Sequence, residues 1–162
     1  MKMLTFIRKV FIFLVIFPTF AIAEELELVC EGTFSYELEG KKPFPDAQET
    51  VVIKLKGEEL NYVQITNQAE KTFKNEKLSA PGKDGQLELE FETILEIKPE
   101  RISVHEKAAM YTGEKVMTTH IININRYNGK FKSDEWLTDL KTKKITQMRE
   151  IRGQCKKGKQ AF

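Results

Sequence analysis

The chain has 162 residues, enough for one domain with a core and too few for two comfortable ones. Eleven Phe and 41% hydrophobic residues exclude a disordered chain. No repeat with a period of about 20 to 50 residues recurs, which excludes a solenoid or propeller. The formal net charge of +2 misleads, because the first 23 residues hold three of the 26 Lys+Arg and none of the 24 Asp+Glu. Residues 24–162 therefore carry a net charge of −1, which gives no argument for nucleic acid as a partner.

The segment 1–23 reads as a signal-peptide helix. Lys2, Arg8 and Lys9 precede an apolar run from Val10 to Phe20 broken only by Pro18 and Thr19, and Ala21-Ile22-Ala23 supplies small residues at a cleavage site. The run is short against the about 20 residues that a span needs, so cleavage after Ala23 is expected rather than a retained anchor. No second hydrophobic stretch follows, so residues 24–162 are expected to form one β domain without a transmembrane segment, exported to the periplasm or the exterior. Val29 before Cys30 does not suit a lipid anchor. No Asn lies in an N-x-Ser/Thr triplet, which points to bacterial export.

Cys30 and Cys155 are the only cysteines and bracket this domain. An even count in an oxidising compartment favours a disulfide, and two cysteines allow one intramolecular pairing. Their spacing matches no zinc or C-x-x-C redox pattern. The first and last elements are therefore expected to be neighbours in space.

Between the cysteines the sequence alternates. Leu26, Leu28, Cys30, Gly32, Phe34, Tyr36 and Leu38 share one parity against a mostly polar opposite face, the pattern of a half-buried strand. Gly32 reads as a bend or bulge. The alternation returns at Val51, Ile53 and Leu55, along Leu87–Glu96, at Ile102 and Val104, and at Ile122 and Ile124. Turns fit between these runs at Lys56–Glu59, at Lys98-Pro99-Glu100 and at Asp139–Lys144. Asn128-Gly129 predicts a hairpin of type I′. The expectation is an all-β, about eight-stranded antiparallel meander closing into a small barrel, with a β-sandwich as the alternative. Asn67–Gln86 breaks the pattern and reads as a surface connection with a short helical turn that points Ala69, Phe73 and Leu78 inward. Trp136, opposite in parity to Phe131, Ser133 and Leu137, is expected in the core through a bulge; the alternative is an exposed interface residue.

Known catalytic fingerprints are absent: no P-loop, dinucleotide glycine motif, G-x-S-x-G or H-E-x-x-H occurs. His105 and His120 are the only histidines, and Ser103 beside His105 has no acid or oxyanion partner. No metal or cofactor is expected. The informative feature is polar residues on apolar faces. His120 and Arg126 share parity with Ile122 and Ile124, and Gln147 and Arg149 share parity with Ile145, Ile151 and Cys155. A buried charge is costly unless paired, so His120, Arg126 and Arg149 are expected to line the polar end of a small-ligand cavity. The alternative for Arg126 is a cap on strand ends. Residues 141–162 hold eight Lys+Arg and one acid. They either pair across strands, with Glu27 and Glu31 facing Arg149 and Arg152, or make weak contact with an anionic surface.

The stretch Ile122-Asn123-Ile124-Asn125-Arg126-Tyr127-Asn128-Gly129, with early and late cysteines behind a signal peptide, is similar to small uncharacterised bacterial secreted β proteins. The layout also resembles, in outline, the periplasmic C-type lysozyme inhibitors, small β-barrels with a disulfide joining their ends. That resemblance implies a role as a hydrolase inhibitor. Their serine–glycine loop followed by tyrosine is absent, since Ser133 has no neighbouring Gly-x-x-Tyr, and no functional residue carries over. The functional expectation is an exported, non-catalytic binding protein, taking a small ligand in the barrel or a protein through its loops. A hydrolase with an unlocated carboxylate pair is the rival class.

Overall fold

The computed structural model describes residues 25–82 and 86–158; the expected signal peptide and its cleavage site lie outside the described residues. Ten strands are described: β1 Leu26–Leu38, β2 Ala47–Lys56, β3 Glu59–Gln64, β4 Ala69–Lys74, β5 Glu76–Pro81, β6 Leu87–Ile97, β7 Arg101–Met110, β8 Val116–Asn125, β9 Lys130–Asp139 and β10 Lys144–Lys157. No helix occurs among the described residues. The strands form one antiparallel sheet in the order β4-β3-β2-β1-β10-β9-β8-β7-β6-β5, curled into a nearly closed barrel.

The all-β barrel class is as expected, with ten strands in place of about eight. The extra two come from Asn67–Gln86, where a helical turn was expected. That segment has few apolar residues to mark alternation. Phe73 is buried as foreseen, but Ala69 and Leu78 are exposed. β4 pairs with β3 and β5 pairs with β6. Between them the chain changes partners at Asn75, whose side-chain amide takes the place of a backbone ladder. Leu95 N–H donates to Asn75 Oδ1 at 2.7 Å, and Asn75 Nδ2 donates to the Leu95 carbonyl at 3.3 Å. One side chain thus draws the two ends of the sheet together.

Cys30 and Cys155 are directly opposite in the β1–β10 ladder and form a disulfide. The terminal strands are therefore neighbours, as the cysteine positions implied. Two residues on, Gly32 faces Gly153 in unbroken register. A Cβ on Gly32 would lie 2.6 Å from the Arg152 carbonyl oxygen. The pair marks a tight backbone approach in a sharply coiled sheet, with no bulge in β1.

Inward positions follow parity. Val51, Ile53, Leu60, Phe73, Ile102, Val104, Ile122, Ile124, Phe131 and Ile151 form a core around the disulfide. Ile145 departs from it. The β9–β10 register slips by one between Ile145 and Gln147, so an extra residue in β10 turns Ile145 outward, where it is 53% exposed. Trp136 is a second departure. β9 keeps its register against β8, so Trp136 stays on the outer face, half-buried and opposite Thr119, rather than in the core.

The Asn128-Gly129 hairpin is not type I′, because Gly129 is left-handed (φ +69°) and Asn128 is not. Asn125 organises the loop instead: its Oδ1 accepts from the Tyr127 and Asn128 N–H groups. The β9–β10 loop repeats the device, with Asp139 Oδ1 accepting from Lys141 and Thr142 N–H and Lys143 in the left-handed position (φ +57°). These bonds hold the Asp139 carboxyl below its ordinary range.

Candidate functional site

The register places a polar row across the inner face. Tyr36, Arg149, Glu135, His120, Glu106 and Thr93 are successive cross-strand partners on β1, β10, β9, β8, β7 and β6. The adjacent row toward the disulfide is Phe34, Ile151, Ser133, Ile122, Val104 and Leu95. On the other side run Leu38, Gln147, Leu137, Thr118, Ala108 and Phe91. A polar band thus lies between the barrel's apolar core and a more open collar at its mouth.

A cleft of about 190 Å³ opens on this band, lined by residues that include Tyr62, Gln64, Lys71, His120, Ser133, Glu135 and Arg149. His120 is buried on this band, only 6% exposed. Its ring meets Tyr62 edge-on at 5.6 Å and Phe73 at 5.3 Å. This apolar, ring-walled setting penalises the imidazolium, and the Lys71 charge adds to the effect. The His120 pKa is pushed from 6.5 down to about 4, so the ring is neutral at pH 7.

A directional hydrogen-bond chain ends on that ring. Gln64 Nε2 donates to Tyr62 Oη at 3.2 Å, Tyr62 Oη donates to Ser133 Oγ at 3.3 Å, and Ser133 Oγ lies 2.9 Å from His120 Nε2. With Ser133 accepting from Tyr62, the consistent assignment has Ser133 donating to Nε2 and the ring proton on Nδ1. Burial raises the Tyr62 pKa and keeps its hydroxyl a donor. Asn67 extends the chain outward, its Nδ2 donating to Gln64 Oε1 at 2.8 Å.

Both cations of the cleft are paired. Lys71 binds Glu106, which is buried, and Arg149 Nη1 lies 3.5 Å from Glu135 Oε2. Arg149 also stacks over Tyr36, 5.9 Å from the ring centre, and Tyr36 stacks with Phe44 at 6.4 Å. A second hollow of about 270 Å³ lies against Tyr36 and Phe44 and shares Phe34, Gln64, Asn67 and Arg149 with the first. Together they make one continuous two-part cleft.

His120 and Arg149 are therefore brought together in one cleft, and Arg126 is not. β8 ends at Asn125, and past a strand's end parity no longer sets direction. Arg126 is exposed at the opposite end of the barrel, where Nη1 donates to the Lys98 carbonyl at 3.1 Å; it is the strand-end cap of the alternative reading. Ser103 and His105 share the outer face, with His105 exposed. The sequence reading missed Tyr62, Gln64, Lys71, Ser133 and Glu135. Ser133 and Glu135 carry the parity of Phe131, and Gln64 that of Leu60, so the rule that found His120 would have found them.

The expected pairing of Glu27 and Glu31 with Arg149 and Arg152 is not formed. Arg149 binds Glu135, Arg152 binds Glu150, Glu27 binds Lys54, and Glu31 stands opposite Gln154. Nor do the cations of 141–158 make one patch. Lys144 and Lys157 lie at opposite ends of β10, about 40 Å apart at strand spacing.

An open groove of about 940 Å³ lies on the outer face, and its lining includes Arg101, Lys130, Lys132 and Arg152. Three of these cations bind Glu96, Asp134 or Glu150, so the groove has little uncompensated charge. Among the described residues, no three His, Cys, Asp or Glu side chains are placed to hold a metal ion, and no helix is long and apolar enough to cross a membrane. The sequence matches no protein-family model and no curated protein significantly.

Proposed function

We propose that this is an exported, non-catalytic binding protein that holds a small polar ligand in the mouth of its barrel. The observation that carries the reading is the two-part cleft, where His120, Ser133, Tyr62, Gln64 and Arg149 converge over a closed apolar core. Concave sites with a few fixed polar groups on a largely preformed frame are the usual form of small-ligand sites. The two carboxylates flanking His120 are each engaged by a cation, an arrangement that suits holding a ligand. Export through residues 1–23 to the periplasm or exterior is supported by the Cys30–Cys155 disulfide, a bond of oxidising compartments.

Native mass spectrometry of the protein purified gently from its own host tests both parts. The expected polypeptide starts at Glu24 and carries a mass excess that is lost on denaturation and absent in Gln64→Ala. A bare polypeptide would refute tight carriage, and an intact Met1 start would refute cleavage.

A protein partner is the second reading, in the manner of the hydrolase inhibitors that the layout resembles. It is favoured by the exposed apolar residues of the collar: Leu38 is 42% exposed, Phe44 66%, Leu78 54% and Met110 43%. Loss of a partner on Phe44→Ser, with the cleft variants silent, would select it.

A further inference from the structure

We infer that the cleft recognises a neutral polyhydroxylated ring, a sugar of the pyranose type, with a second ring or substituent against Tyr36 and Phe44. This rests on the small-ligand reading and narrows it to a chemical class.

Charge is the first argument. Two acids, Glu70 and Glu135, and two bases, Lys71 and Arg149, line the inner compartment. Both bases have carboxylate partners, Glu106 for Lys71 and Glu135 for Arg149. His120, buried on the cleft wall, adds no charge at pH 7. Glu49, buried close by, spends one oxygen on the Thr50 and Thr66 N–H groups. An anionic ligand would find no uncompensated cation, and taking it from water would cost more than the cleft returns. A neutral ligand pays no such penalty.

Donor and acceptor chemistry is the second argument. Gln64 and Asn67 each spend one amide N–H on the internal chain and retain another. Arg149 retains guanidinium N–H groups beyond its contact with Glu135, and Glu135 retains acceptor lone pairs. Donors and acceptors side by side suit hydroxyls, which do both. A site built to bond hydroxyls discriminates strongly against analogues that lack them, because its own polar groups are then left unpaired.

Shape is the third argument. About 190 Å³ displaces on the order of six waters, the size of one ring rather than a nucleotide or a peptide. A pyranose also has a C–H face that packs on aromatic rings. Tyr36 and Phe44 stand stacked along the outer compartment, with Phe34 lining both.

The test is ¹⁵N NMR titration of the oxidised protein, residues 24–162, with methyl β-D-glucopyranoside, cellobiose and N,N′-diacetylchitobiose. Phosphate, citrate and decanoate serve as contrasting probes. At least one saccharide is expected to shift the side-chain amides of Gln64 and Asn67 in the millimolar range, the disaccharides more strongly. Gln64→Ala and Arg149→Gln are each expected to weaken it at least about tenfold, a loss of about 1.4 kcal/mol. Lys130→Ala, on the outer groove, is expected to leave it unchanged. Binding of an anion or of decanoate in place of saccharides would overturn the sugar assignment and leave the small-ligand reading standing. Silence toward all six probes would overturn the sugar assignment. A bare polypeptide in native mass spectrometry would then refute tight carriage of any small ligand as well. Saccharide binding undiminished in both cleft variants would place the sugar elsewhere and refute the assignment.

Discussion

Replacing His120 by Gln should flatten the acid limb of the protein's stability profile. His120 is buried among Tyr62 and Phe73, and its pKa falls from 6.5 to about 4 in the folded state. An unfolded chain has no such shielding and takes up the proton near the ordinary value. Between about pH 6.5 and 4 the unfolded state therefore binds more protons, and stability falls as pH falls. Above 6.5 both states are neutral at this ring and it contributes no slope. Below about 4 both are protonated and the loss is complete. At about 1.4 kcal/mol for each pH unit of displacement, the loss is about 3 kcal/mol. Gln has no titration there and can keep a hydrogen bond to Ser133. The facing charges of Glu106, Glu135 and Lys71 are common to both proteins and largely cancel in the difference. Urea unfolding followed by Trp136 fluorescence from pH 7.5 to 4 should show the wild type losing about 3 kcal/mol more than His120→Gln. Parallel profiles, or a native-state NMR titration of His120 near 6.5, would refute the reasoning.

Asn75→Ala removes both bonds to the Leu95 backbone and should cost about 1 to 3 kcal/mol. Hydrogen exchange should accelerate most at Leu95 and its neighbours in β6; an unchanged urea midpoint would show that the sheet ends hold without this amide. Replacing Cys30 and Cys155 together by Ala opens a loop with a sequence separation of 125 and should cost up to about 4 to 5 kcal/mol. A measured loss under about 1 kcal/mol would mean that β1–β10 pairing already supplies the closure. Lys143→Gly relieves a left-handed residue at φ +57° and should raise stability by about 1 kcal/mol in thermal melts, where a lower midpoint would contradict the strain argument.

Much of the barrel is legible in the chain because side chains alternate with a period of two, and a sheet with one buried face must obey it. Leu26–Leu38, Val51–Leu55 and Ile102–Val104 declare themselves this way, and the terminal cysteines imply that β1 and β10 are partners. β4 and β5 are not legible, since their pairing rests on backbone bonds and on Asn75 rather than on an apolar stripe. The same division runs through the site. Parity marks His120 and Arg149 as inward, but it cannot say which inward polar residues share a level of the barrel. That depends on register, summed over β1, β10, β9, β8 and β7, which brings Tyr36, Arg149, Glu135, His120 and Glu106 into one row. Arg126 obeys the parity and still lies elsewhere, because β8 stops one residue before it. Ile145 obeys it and faces outward, because one extra residue in β10 reverses the alternation. Local alternation is a property of neighbouring residues and is written in the chain; convergence depends on hydrogen-bond register between distant strands, and only the assembled sheet decides it.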